Sequence, residues 1–122
     1  MEVKSYRDLR VWQQAITLSV DCYKITEDMP KTELYGLTSQ IRRASVSVAA
    51  NIAEGYGRDN TGNFVQFLRI SQGSLKELET HFIIASRIGY LEFGKVESVL
   101  ERCEELGKML RSYIRSLQAS TG

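Results

Sequence analysis

The sequence predicts an all-α fold: an antiparallel up-down-up-down four-helix bundle forming a single domain over residues 1–122. Three observations carry that expectation. Apolar residues recur at alternating three and four spacing along four long segments, the period of helices with one buried side. β-Branched residues nowhere alternate with polar ones for long, so no segment reads as a strand. The links between segments are a few residues each, which forces successive helices to lie antiparallel.

The first helix is expected over residues 7–28, with Val11, Ala15, Leu18, Cys22 and Ile25 as its core row. Leu9, Trp12, Ile16 and Tyr23 form a second apolar row about 100° round the helix. Two rows are more than one neighbour can cover, so this second row is expected to lie inward or in a contact between subunits. Ser5 and Asp8 have the spacing of a capping box, and Pro30 closes the segment. The second helix is expected over 32–54, with Leu34, Leu37, Ile41, Ala44, Val48 and Ile52 inward. The small residues Ser45, Ser47, Ala49, Ala50 and Ala53 flank that row and predict the closest helix approach in the bundle.

Gly55-Tyr56-Gly57-Arg58-Asp59-Asn60 breaks the second helix and caps the third. The third is expected over 61–88, where Phe64, Leu68, Ser71, Leu75, Leu78, Phe82 and Ala85 alternate at four and three spacing. Gly89 ends it, with Tyr90 and Leu91 folding back on its last turn. The fourth is expected over 93–118, through Val96, Val99, Cys103, Leu106, Leu110, Tyr113 and Leu117. Its acidic first half and basic second half suit the helix dipole.

Composition narrows function mainly by exclusion. Sixteen basic and fifteen acidic side chains leave a formal net charge of +1, so nothing global marks a polyanion binder. The N-terminus lacks an apolar signal core, and no apolar run approaches the roughly 20 residues that span a bilayer, so the expectation is a cytoplasmic protein with no membrane partner. Cys22 and Cys103 fall on apolar rows and read as reduced core thiols. Bundle metal centres need carboxylate-x-x-histidine pairs, but the one histidine, His81, has Leu78 three residues before it and reads as a partner of Glu77. Gly55-Tyr56-Gly57-Arg58 lacks the lysine and hydroxyl of a phosphate-cradling loop. No nucleophile stands with a base, so catalytic, metal and cofactor sites are all expected to be absent, and the protein is read as no enzyme.

Charge distribution is more informative than its sum. Arg42 and Arg43 sit mid-helix, away from the dipole ends where arginine is routinely useful. Arg42 is expected to hold the second helix to the third through an ion pair with Glu77, while Arg43 is more exposed and free to meet a ligand. Glu27, Asp28, Glu33, Glu92, Glu97 and Glu101 gather at one end of the rod, and Lys4, Arg7, Arg10, Arg58, Lys108, Arg111 and Arg115 at the other. Without a matching aromatic platform, the basic end suits phosphates rather than base edges.

Asp8-Leu9 with Val11-Trp12, Tyr35-Gly36-Leu37, Gln40 with Arg42-Arg43-Ala44, Asn51-Ile52-Ala53-Glu54-Gly55, and Phe67-Leu68 with Gly73-Ser74 and Glu77-Leu78 resemble a known bacterial family over nearly the whole chain. It is the family of four-helix-bundle proteins encoded in intervening sequences of large-subunit (23S) ribosomal RNA genes. The resemblance implies bundles that close into homo-oligomeric rings, pentamers above all, and kinship with the accessory variability determinant of diversity-generating retroelements, which binds nucleic acid and a reverse transcriptase. A proline common in the family is replaced here by Ala49, which removes a kink from the second helix. Together these features predict a non-enzymatic homo-oligomeric accessory protein. It would bind RNA, DNA or a nucleoprotein partner through Arg43, Arg58, Lys108, Arg111 and Arg115. The alternative is a protein–protein interaction scaffold that binds no nucleic acid.

Overall fold

The structure, a computed structural model, describes residues 3–121. Four helices dominate it: α1 (Arg10–Thr26), α2 (Leu37–Tyr56), α3 (Thr61–Ile88) and α4 (Phe93–Thr121). Short 3₁₀ turns at Tyr6–Asp8 and Lys31–Glu33 precede α1 and α2, and no strand occurs among the described residues.

The expected capping box forms, but on the 3₁₀ turn rather than on α1 itself. The Ser5 N–H donates to Asp8 Oδ2 at 3.1 Å, and Ser5 Oγ accepts from the Arg7 N–H at 3.2 Å. Gln13 Nε2 donates to the Arg7 carbonyl at 2.9 Å and ties this turn to α1. The second helix begins later than the sequence suggested. The Glu33 carboxylate accepts the Leu37 N–H at 3.0 Å and so satisfies one of the free donors at the start of α2. A Cβ on Gly36 would lie 2.6 Å from that carboxylate oxygen, so the cap depends on a glycine there. The resulting break carries Leu34, expected in the core, out to 46% exposure.

Asn60 Oδ1 accepts the Asn63 N–H at 2.8 Å to open α3, which spans the expected residues. Gly89, with φ of 94°, closes it in a Schellman turn: the Tyr90 N–H reaches the Ala85 carbonyl at 2.9 Å, the Gly89 N–H reaches that of Ser86 at 3.0 Å, and Leu91 is buried. α2 runs through the buried Ala49 without interruption.

Specific contacts fix the topology. Ser19 meets Ser45 while Thr26 meets Arg42, so α1 and α2 are antiparallel. Ser71 donates to the Val48 carbonyl while Gly55 abuts Phe67, so α2 and α3 are too. Phe64 packs edge-on against Tyr113 while Leu75 approaches Gly107, which orients α4 against α3. Lys95 pairs with Asp28 and Arg102 with Asp21, closing α4 onto α1 in the up-down-up-down order. The α2–α3 contact is the most extensive, as the small residues of α2 predicted. Leu18, Ile41, Ile52, Leu68, Leu75, Leu78, Phe82 and Leu110 fill the core, each under 3% exposed. In α4 the core row drifts, as a 3.6-residue helix must over a long run: Ile114 is buried and Tyr113 and Leu117 only half-buried.

Candidate nucleic-acid interface

Arg42 does not reach Glu77. Its Nε donates to Thr26 Oγ1 at 2.9 Å, a terminal nitrogen approaches the Tyr23 carbonyl at 3.4 Å, and the guanidinium lies 4.8 Å from the Tyr23 ring centroid. The arginine therefore joins α2 to α1 rather than to α3. Position 42 falls on the side of α2 shared with Ser45, which faces Ser19, whereas Ser47 meets Ser74 of α3 at 2.9 Å. Glu77 instead takes His81 Nε2 at 3.4 Å, the partner expected for that histidine.

The basic candidates are distributed over several surfaces. Arg43 is exposed midway along α2. Arg58, in the turn after α2, pairs with Glu54 at 3.1 Å and stacks 4.8 Å from the Phe67 ring centroid, so much of its charge is already answered. Lys108 approaches Glu104 at 3.8 Å and borders a hollow of about 540 Å³ between α1 and α4, beside Arg10, Met109 and Tyr113. Arg111 and Arg115 come together on the other groove of α4, a cleft of about 790 Å³ shared with α3.

Arg69 of α3 joins them there. Nothing local in the sequence marks it. The antiparallel register of α3 and α4, visible in the approach of Leu75 to Gly107, is what carries it opposite Arg111. Lys76 in the same cleft is engaged by Glu79 at 3.3 Å. Arg69, Arg111 and Arg115 have no carboxylate within ion-pair distance among the described residues. Glu79 and Glu104 also line the cleft, where Lys76 and Lys108 respectively engage them, so the three guanidiniums leave it receptive to anions.

The second row of α1 divides. Leu9 is buried and Trp12 is half-buried, with its ring edge-on to Tyr6 at 5.2 Å. Ile16, Val20 and Tyr23 stay 36%, 48% and 44% exposed, with Val46 of α2 at 44%. In the single chain Leu9 and Trp12 thus face inward, while Ile16 and Tyr23 remain at the surface.

Cys22 and Cys103 are free and buried, and burial pushes each thiol up to about 12. Among the described residues no cluster of three or more His, Cys, Asp or Glu side chains is arranged to hold a metal ion, and no helix is long and apolar enough to cross a membrane.

With the bundle and its basic groove in place, comparison with known proteins is decisive about kinship. Residues 7–112 match the 23S rRNA-intervening sequence protein family. The chain belongs to that family. A crystal structure of an S23 ribosomal protein family member from Bacteroides thetaiotaomicron, itself described as of unknown function, superposes with a TM-score of 0.76 at 24% identity, covering 85% of this chain and 97% of that one. That likeness establishes a shared fold. No curated protein matches the chain. The Asn51-Ile52-Ala53-Glu54-Gly55 stretch that carried the resemblance to the intervening-sequence family has a packing explanation in the structure. Asn51 Nδ2 donates back to the Ser47 carbonyl at 2.8 Å, Ile52 is fully buried, and Gly55 lets Phe67 press against the backbone of α2.

Proposed function

We propose that this member of the intervening-sequence family is a non-catalytic, self-assembling accessory protein that binds nucleic acid, RNA first and DNA second, through phosphate contacts at its basic end. The observation that carries the reading is that Arg69, Arg111 and Arg115 line one cleft and that, among the described residues, no carboxylate lies within ion-pair distance of them. Guanidiniums bind phosphate oxygens in a two-pronged geometry and release condensed counter-ions as they do so. Lys108 and Arg10 extend the positive field onto the neighbouring hollow, and Arg43 adds a separate exposed cation on α2. No row of exposed aromatic side chains lies in the cleft, so affinity is expected to be tolerant of sequence.

Self-assembly belongs to the same reading. Ile16, Val20 and Tyr23 follow one another along α1 at four and three spacing, and Val46 lies on the adjoining helix. Such a stripe is suited to a neighbouring subunit, and a closed ring, five subunits favoured, covers it on every copy. The competing reading, a protein-binding scaffold in the same cytoplasmic setting, draws support from a second exposed group, Leu34, Tyr35, Ile88 and Phe93, around the acidic end.

Salt titration of RNA binding separates the two readings. Arg111→Gln with Arg115→Gln should weaken every RNA alike and reduce the slope of log affinity against log salt by about 0.7 for each phosphate that is no longer neutralised. Purified protein with no affinity for RNA or DNA at low salt would leave the scaffold reading standing.

A further inference from the structure

Two glycines sit inside long helices along the α3–α4 cleft, and neither is explained by packing. A Cβ built on Gly73 meets nothing within 4 Å, and one on Gly107 comes no closer than 3.9 Å to Leu75 Cδ1. Gly55 provides the contrast, since a Cβ there would lie 2.5 Å from Phe67 Cβ. A glycine inside a helix weakens it by enlarging the freedom of the unfolded chain, so one that serves no close approach of helices is a standing cost to stability. Both glycines line the cleft together with Arg69, Arg111 and Arg115, where a side chain on either would take up part of its space.

A ligand that uses this site must be narrow enough to enter between adjacent helices and anionic enough to engage the guanidiniums. The cleft between α3 and α4 holds about 790 Å³, room for a short stretch of one extended strand. A duplex carries its two backbones on either side of a groove about 12 Å wide, so it meets the cleft along one backbone at most. We infer that the α3–α4 cleft seats a single nucleic-acid strand, its phosphates held by Arg69, Arg111 and Arg115 and its sugar edge lying in the notch that Gly73 and Gly107 leave open. Lys76 is engaged by Glu79 at 3.3 Å, so the anion-binding end of the cleft is the arginine end. This inference rests on the nucleic-acid reading above and adds to it a location, a preference for single strands, and a role for Arg69.

The test fills the notch without removing any charge. Gly73→Leu with Gly107→Leu should hold or raise the melting temperature, because leucine favours helix over glycine and a Cβ at either position meets nothing closer than 3.9 Å. Fluorescence anisotropy with a labelled oligouridine of about 20 nucleotides, and with an RNA duplex of equal length, then reads affinity against salt. The expected result is a loss on the order of tenfold for the single strand, with Arg69→Gln lowering the salt slope as much as Arg111→Gln does. If the filled cleft binds the strand as tightly as the natural protein while Arg111→Gln with Arg115→Gln weakens it, the basic-end reading survives and the cleft is not the seat. If the natural protein binds neither probe at low salt, both readings fall. A change of oligomer mass on filling, with strand affinity intact, makes the cleft a contact between subunits and overturns the inference. Should the leucine pair lower the melting temperature, Gly73→Ala with Gly107→Ala places only Cβ atoms into open space. A graded loss of strand affinity then supports the seat, and an unchanged affinity overturns it.

Discussion

Arg42 shows how a single side chain can be given the right role and the wrong partner. A structural tie is what the structure contains, but Thr26 and Tyr23 of α1 supply it. Removing the guanidinium in Arg42→Ala should cost about 1–2 kcal/mol, from a charged hydrogen bond and a ring contact at a half-exposed site. Chemical denaturation of a double-mutant cycle assigns the partner: Arg42→Ala should couple to Tyr23→Leu by about 0.5–1 kcal/mol and be additive with Glu77→Ala within about 0.5 kcal/mol. The two cysteines make a second residue-scale prediction. Their folded-state pKa of about 12 lies above the ordinary value of 9.0, chiefly because burial penalises the thiolate. The native state is then the stronger proton binder in that range, so stability is full below pH 9 and falls as pH rises towards 12. Cys22→Ala with Cys103→Ala should flatten that alkaline limb in urea melts taken from about pH 8 to 11. Iodoacetamide should label the natural thiols slowly until the protein unfolds.

Helices α2 and α3 meet through small groups, and the contact depends on where a methyl group is tolerated. Gly55→Ala forces Phe67 or Phe64 to move, since the added Cβ would lie 2.5 Å and 3.0 Å from their carbons. A loss of about 1–3 kcal/mol in chemical denaturation is expected. Gly73→Ala, on the same pair of helices but in open space, should gain about 0.4–1 kcal/mol. The start of α2 depends on Glu33, which caps Leu37 and also accepts from the Tyr90 hydroxyl at 3.3 Å, linking the two loops at that end. Glu33→Ala should cost about 1 kcal/mol and increase amide exchange in the first turn of α2.

Over the whole molecule, the single chain leaves apolar surface on α1 and α2 and charge sorted by end. Val20 is 48% exposed, so Val20→Glu should leave the melting temperature of an isolated chain almost unchanged. In a self-assembled ring the same change buries an unpaired carboxylate, and light scattering should show a shift to the monomer mass. An unchanged assembly mass would remove the α1–α2 stripe from the subunit contact. The charge sorting acts on association with polyanions, whose rates and affinities should fall steeply between low and physiological salt.

The four helices, the boundaries of α3 and the identity of most core residues were legible in the sequence because they follow from local rules: a 3.6-residue apolar period, a capping side chain, a glycine where the chain must turn left-handed. Gly89 and Asn60 act as their types and positions indicate. Leu34 leaves the core row because Glu33 and Gly36 form a cap that interrupts an otherwise helical pattern, and periodicity cannot see a side chain turning back on its own backbone. The fate of the second row on α1 was not legible either. Trp12 is covered by Tyr6 of the turn before α1, while Ile16 and Tyr23 remain at the surface, and an apolar period alone does not say which members of a row find a neighbour. Tertiary structure also decided the candidate site. Arg69 meets Arg111 and Arg115 only through the register of two antiparallel helices, and Gly73 and Gly107 gain meaning only once the space around them is known. Local sequence determines which face of a helix is buried. What stands opposite that face is set by packing against distant segments, and there the anion-receptive cleft is made.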